Sequence, residues 1–409
     1  MTLNEAVRRA VSWHPSIDEA IGRLNQRKEE IAVARSGYYP RVRGGIDSGY
    51  DSAGGSAWRP RLNVSASQMI YDFGKVSSSV AAETAGADIS RAQLLLAVDS
   101  LIRDTAYAVI EVQRNRALRD VAAAQLAGVE AIAKLVRQRT DRGASTMSDE
   151  VQAEARVEAA QSTVLEINSQ LERWQGNLAS LIGAGGPVSP VAEVPAWLAK
   201  ACANGEPDWP SVPQMMQAEA ERKEAVALLD QSKAQIWPTL SLEAGTSYDL
   251  RQNADIRDSG SRPEFNVGLN LSGNLYEGGA AGARQAAADY ALRAADAAGN
   301  AVRFEVGRAL REASSQTGSL NQLLSSLSSR SEMMIRTRDL YRHQYIELGT
   351  RTLLDLLNAE QELHAAEFET VNTVHDLRRL NVDCVFNSGS ARKSFALEEA
   401  TVRGVSLKP

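Results

Sequence analysis

Leu348-Gly349-Thr350-Arg351-Thr352-Leu353-Leu354-Asp355, followed by Ala359-Glu360, is the second of two related passages in this chain. Arg142-Gly143, Asp149 and Ala153-Glu154 stand 206 residues earlier at the same internal spacings. Working outward, Tyr71-Asp72-Phe73-Gly74 matches Tyr276-Glu277-Gly278-Gly279 at an offset of 205, and Tyr39-Pro40 matches Trp237-Pro238 at 198. Three matches in one order make a tandem duplication the economical reading, and a unit of this size is far longer than those of ordinary solenoids. The expected organisation is a first repeat over residues 1–196, a proline-rich linker over 187–213, a second repeat over 214–389 and a tail over 390–409.

The prolines show what each repeat contains. None falls between Pro60 and Pro187, or between Pro263 and Pro409. Proline removes a backbone donor and clashes with the preceding turn, so such deserts can hold very long helices. In the first, Leu94, Val98, Leu101, Ala108, Val112, Leu126, Val129, Ala133 and Val136 lie on one 3.5-residue lattice, interrupted at Asn115 and Arg119. That period marks helices packed as in a coiled coil. The second desert is rich in serine from Ser314 to Ser331 and is expected to be helical partly by analogy.

Around the remaining prolines the period changes to two. Leu62, Val64, Ala66 and Ile70 alternate with polar residues, as do Leu240, Leu242 and Ala244, and Phe265, Val267, Leu269 and Leu271. Alternation over about ten residues signals strands. With Arg41–Tyr50 this gives two strands per repeat, joined by Asp51–Trp58 and by Leu250–Pro263. Aromatics gather at the strand ends: Tyr39, Tyr71, Phe73, Trp237 and Tyr276 at one, Tyr50, Trp58 and Tyr248 at the other. Short alternating strands with aromatic ends match an outer-membrane barrel, and a small soluble hairpin domain is the alternative. No run approaches the roughly 18 apolar residues of a transmembrane helix, so any crossing of a membrane must use strands.

Composition narrows the function. Aromatics are only 5% of 409 residues, which disfavours an enzyme with a bulky core, and the net charge of −6 is spread without a basic patch, so nucleic acid is not an expected partner. Met1-Thr2-Leu3-Asn4-Glu5 opens directly on an amphipathic pattern rather than a secretory leader, and a removed leader fits equally well. There is no phosphate loop, nucleophile elbow or Cys-His pair with an evident base, and no cofactor is expected. Glu360, His364, Glu367 and His375 stand at helical spacings that suit a metal in principle, but solvated helix surface is the expected reading.

These residues carry a resemblance to the TolC-like outer membrane efflux and secretion channels. It rests on Leu3-Asn4-Glu5-Ala6 with His14-Pro15, Tyr39-Pro40, Gln68–Gly74, Leu275–Gly279 and, above all, Tyr345–Leu363. The resemblance implies a mainly α protein with a β-barrel portion: a homotrimer in which four strands per chain build a 12-stranded barrel in the outer membrane lipid, continued by an α-helical periplasmic barrel. Four strands cannot close and eight leave an interior filled by side chains, so a passage needs more than two chains.

It also implies roles at the helix reversals. Arg142, Gly143, Ala144, Leu348, Gly349 and Thr350 would form the tips that meet a periplasmic adaptor, with Ser148, Asp149, Arg351, Asp355 and Asn358 at the gate and Arg351 pairing with Asp149 and Ser148. Two positions depart from the family pattern: Ile346, beside Tyr345, replaces a tyrosine before the turn glycine, and Asn358 replaces an aspartate that constricts the pore. The residues alone are equally consistent with plain helix-hairpin turns in which Asp149 and Asp355 favour the helix dipole. An oxidising periplasm permits a bond between Cys202 and Cys384, though the sequence leaves their pairing open. The junction Ile70-Tyr71-Asp72-Phe73-Gly74 is most similar to members serving type I secretion, with an inner-membrane ABC transporter and an exported protein substrate. Drug efflux and, in a different class, a soluble coiled-coil scaffold are the alternatives.

Overall fold

The computed structural model describes residues 1–51, 57–203, 205–250 and 263–408. One order of elements occurs twice. A first run holds α2 (Pro15–Arg35), β1 (Arg41–Asp51), β2 (Ala57–Tyr71), α3 (Lys75–Asp141) and α4 (Met147–Ile182). A second holds α5 (Pro213–Ala234), β3 (Thr239–Asp249), β4 (Glu264–Ser272), α6 (Ala280–His343) and α7 (Leu353–Asn387). Ahead of both stands α1 (Leu3–Trp13), and behind them α8 (Ala391–Ser394) with the short strands β5 (Thr401–Val402) and β6 (Val405–Ser406). Compactness divides the chain across this order, into one unit of residues 1–19, 94–213 and 303–409 and another of 20–93 and 214–302.

The second of these units carries an antiparallel sheet of order β1-β2-β3-β4. Its register places Arg41, Arg43, Asn63, Glu243, Asn266 and Asn270 on one face, and Val42, Ile46, Leu62, Val64, Leu242, Val267 and Leu269 on the other, because successive side chains alternate. The apolar face is uncovered: Phe265 is 77% exposed, Val267 75% and Leu269 69%. The expected connections Asp51–Trp58 and Leu250–Pro263 lie largely outside the described residues, as do the side chains of Tyr50 and Trp58.

Where the sheet passes into helix, the two runs solve one turn differently. Asp72 accepts hydrogen bonds from the backbone N–H of Gly74 (3.0 Å) and Val76 (2.6 Å) and starts α3. Phe73 takes a left-handed φ of 57°, a strained value for a bulky residue, with its ring 4.7 Å from Tyr71 and stacked 5.4 Å from Trp237. The second run uses Gly278 and Gly279, at φ 61° and 89°. There glycine makes the bend without strain.

The other unit is helical. It holds residues 94–141 of the 67-residue α3 and residues 303–343 of the 64-residue α6, about 70 and 60 Å at 1.5 Å per residue. Leu94, Val98, Leu101, Ala108, Val112 and Val136 of the α3 lattice are buried. Asn115, expected to interrupt the seam, is buried as well and donates to the carbonyl of Glu111. Residues 390–408 fold back with Phe395, Leu397 and Leu407 buried, and Arg392 lies 3.7 Å from the buried Asp99. Cys202 is bonded to Cys384, joining the linker to α7 beside Leu310 and Ala313.

Candidate functional site

Two helix reversals form the site in the helical unit. At the first, Gly143 takes φ 70° at the end of α3, and at the second Gly349 takes φ 62°, conformations that glycine reaches without a side-chain clash. Each following helix starts with the same device. The Thr146 hydroxyl accepts the Asp149 N–H at 3.1 Å while the Asp149 carboxylate accepts the Thr146 N–H at 3.0 Å; Thr352 and Asp355 repeat the exchange at 3.2 and 3.1 Å. These are capping boxes, and backbone hydrogen bonding lowers both carboxyls below their ordinary range.

The reversals differ on their approach. Helix α3 runs as α-helix to Asp141, whereas α6 passes at Gln344–Leu348 into a π turn. That turn swings Tyr345 inward, onto Ile132, Val136, Ala153, Leu353, Leu356 and Leu357, a small apolar core shared by both reversals. Arg139 of α3 lies over the Tyr345 ring at 4.9 Å. Sequence reading missed both the π turn and Arg139; the available signal for the latter was a cation in the last turn of a helix, where the dipole favours one.

The expected gate residues divide accordingly. Ser148, Arg351 and Asn358 are exposed, and Asp149 and Asp355 partly so. Arg351 lies 4.3 Å over the ring of Tyr341 and donates through Nε to Gln344 Oε1 at 3.3 Å, while Asp149 is engaged with Thr146 and Ser145. Within one chain the structure therefore does not bring Arg351 to Asp149. The expected tip residues Arg142, Gly143, Ala144, Leu348, Gly349 and Thr350 are all exposed at the reversals. Among the expected belt aromatics, Tyr39, Tyr71, Phe73, Trp237 and Tyr276 are exposed.

One expectation is corrected. Glu360, His364 and His375 are each 4% exposed, so this is buried helix rather than solvated surface. His364 meets Glu360 Oε1 through Nε2 at 3.1 Å and Glu367 Oε2 through Nδ1 at 2.9 Å. Burial pulls its pKa down, but Glu360 and Glu367 outweigh that and raise it. Gly128 of α3 makes the room: a Cβ there would lie 1.9 Å from Glu360 Oε1. His375 instead donates through Nδ1 to the Val371 carbonyl at 2.7 Å and accepts at Nε2 from Arg378 at 3.1 Å, and it is pushed down to about 4, mainly by burial. Charge alone reads as surface in a sequence; here the polar partners stand three and four residues apart on α7 itself, and it is packing against other helices, as at Gly128, that buries them.

Residues 6–184 and 211–379 match the outer membrane efflux protein family. The outer membrane efflux protein BepC of Brucella suis is 22% identical over 386 residues, 92% of this chain and 82% of BepC. Protein CyaE of Bordetella pertussis is 24% identical over 296 residues, 68% of this chain and 61% of CyaE. In structure, the outer membrane protein VceC of Vibrio cholerae superposes with a TM-score of 0.82 at 18% identity, over 95% of this chain and 96% of VceC.

Proposed function

The chain belongs to the outer membrane efflux protein family, and on that premise we propose that three copies form the exit channel of a type I secretion system. It is an outer-membrane channel protein reaching into the periplasm, not an enzyme and not a soluble scaffold. The observation that carries the trimer is the sheet: four strands with an uncovered apolar face and with β1 and β4 at its edges. Edge strands left with unpaired backbone groups invite another strand, and in lipid every such group must be satisfied within protein. Three sheets joined edge to edge close a barrel of about twelve strands, wide enough to leave a passage. The apolar face then meets outer membrane lipid, and the face with Arg41, Arg43, Asn63 and Glu243 lines the bore.

At the two helix reversals, Arg142, Gly143, Ala144, Leu348, Gly349 and Thr350 meet a periplasmic adaptor. Arg351 of one copy pairs with Asp149 and Ser148 of the next, and Asp355 and Asn358 line the constriction. Such pairing is consistent with the exposure of Arg351 and leaves both capping boxes intact. The ABC transporter and the protein cargo follow from the similarity of Ile70–Gly74 to type I members. Drug efflux is the second reading, favoured by the Brucella suis efflux relative that matches over nearly the whole chain.

Two measurements test this. Purified protein in planar bilayers should give cation- or anion-carrying single channels, and detergent-solubilised protein should weigh as three chains. In the native host, loss of the chain should abolish release of a large protein while leaving drug susceptibility unchanged; the opposite pattern would refute secretion in favour of efflux.

A further inference from the structure

We propose that Arg139 is the positioning residue of the gate: it ties the two reversals of one chain together and fixes the π turn on which Arg351 rests. The inference depends on the channel reading for its functional meaning, though not for its geometry. Arg139 stands in the last turn of α3. Its Nη1 donates to the carbonyls of Tyr345 (3.3 Å) and Ile346 (3.4 Å), and its Nη2 to the carbonyl of Ala144 (3.4 Å). Carbonyls at the end of a helix have no partner further along it, and both chains of peptide dipoles point their negative ends here. One guanidinium therefore serves the carbonyls of the π turn and the loop carbonyl of Ala144, three residues past the end of α3, together, a task for which its planar fork of donors suits it and a lysine does not.

The aromatic contact has the same sense. Tyr345 is 6% exposed and its hydroxyl is buried without a hydrogen-bond partner among the described residues, so the cation over its face is the polar interaction that the ring makes with them. Arg139 and Tyr345 stand 206 residues apart, the interval that also separates Gly143 from Gly349. Matching positions of the two passages thus touch each other, one as cation and one as ring.

From that contact the link to the gate is short. Arg351 rests on Tyr341 and Gln344, and Gln344 opens the π turn that Arg139 holds. Release of the turn removes the seat of Arg351 without altering Arg351 itself. Arg139 acts through that turn and touches no passing substrate.

The test compares Arg139→Met, Arg139→Lys, Arg351→Ser and the Arg139→Met/Arg351→Ser double variant of the full chain in planar bilayers. Loss of one charge-assisted grip should raise the open-to-closed ratio about ten-fold for Arg139→Met, with Arg139→Lys between it and wild type. On an Arg351→Ser background, Arg139→Met should add little. A second readout needs no current: chymotrypsin cleavage after Tyr345 and Leu348, resolved on reducing gels, should accelerate in Arg139→Met but not in Arg351→Ser. Fully additive conductance effects, or cleavage no faster than wild type, would overturn the inference. Absence of any channel in the wild type would instead refute the channel reading, with the cleavage result still deciding whether Arg139 holds the turn.

Discussion

Substitution of Gly128 by alanine puts the packing of the helical unit to a test in which two effects of opposite sign compete. In an exposed helix the change stabilises by about 1 kcal/mol, because glycine has the greater freedom to lose. Here a Cβ would lie 1.9 Å from Oε1 and 2.9 Å from Cδ of Glu360. A flexible surface glutamate would swing away at little cost. Glu360 is 4% exposed, is hydrogen-bonded to His364 and has Arg338 within 4.0 Å of its other oxygen. Displacing it strains the packing by about 1–3 kcal/mol and sacrifices a charged hydrogen bond of similar size. The sum outweighs the helix term, so Gly128→Ala should destabilise by about 2 kcal/mol. Urea unfolding of the detergent-solubilised protein, followed by circular dichroism, measures it. On a Glu360→Ala background the obstacle is gone, and the same substitution should stabilise by about 1 kcal/mol. A stabilising Gly128→Ala in the otherwise native chain would refute the reasoning.

Further outcomes follow from other parts of the chain. Arg351→Ser should raise single-channel conductance, and unchanged conductance would remove Arg351 from the gate. Burial pushes Asp99 from 3.8 up to about 7 despite Arg392, so between those values the folded chain keeps a proton that the unfolded chain releases. Stability should accordingly fall as pH rises through that window and level off above it, and Asp99→Asn should flatten the slope in unfolding experiments run at stepped pH. Reduction of Cys202–Cys384, which spans 182 residues of sequence, should lower stability by about 5 kcal/mol at most if the chain-entropy account holds. An unfolding midpoint indifferent to reductant would refute that account for this bond.

The extended and helical parts were legible for different reasons. Strands β2, β3 and β4 showed in the alternation around Leu62, Leu240 and Phe265, since one face meets an apolar environment and the other a polar one. The long helix expected in the first proline desert is α3, because proline excludes itself from helix interiors and glycine makes the reversal. What escaped depends on packing between segments distant in sequence. Asn115 read as a break in the seam, and Glu360 and His364 as surface; each is buried, with its polar groups satisfied four residues away on its own helix. Gly128 was the overlooked clue, a glycine in the interior of a strong helix that marks a close approach. The π turn at Gln344–Leu348 left no trace, since its extra residue per turn is set by the packing of Tyr345. The direct gate contact expected between Arg351 and Asp149 is absent within one chain for a further reason: each has a nearer partner there.

The bond between Cys202 and Cys384 has a topological consequence. It closes residues 202–384 into a covalent ring that takes in α5, β3, β4, α6 and nearly all of α7. A single cut at the second reversal opens that ring but separates nothing: the chain becomes a branched molecule of unchanged mass, save for one added water. A protease that clips the second reversal of an assembled channel would leave every subunit whole on a non-reducing gel, its injury visible only once thiol is added, whereas a cut at Gly143, outside the ring, would split the chain at once.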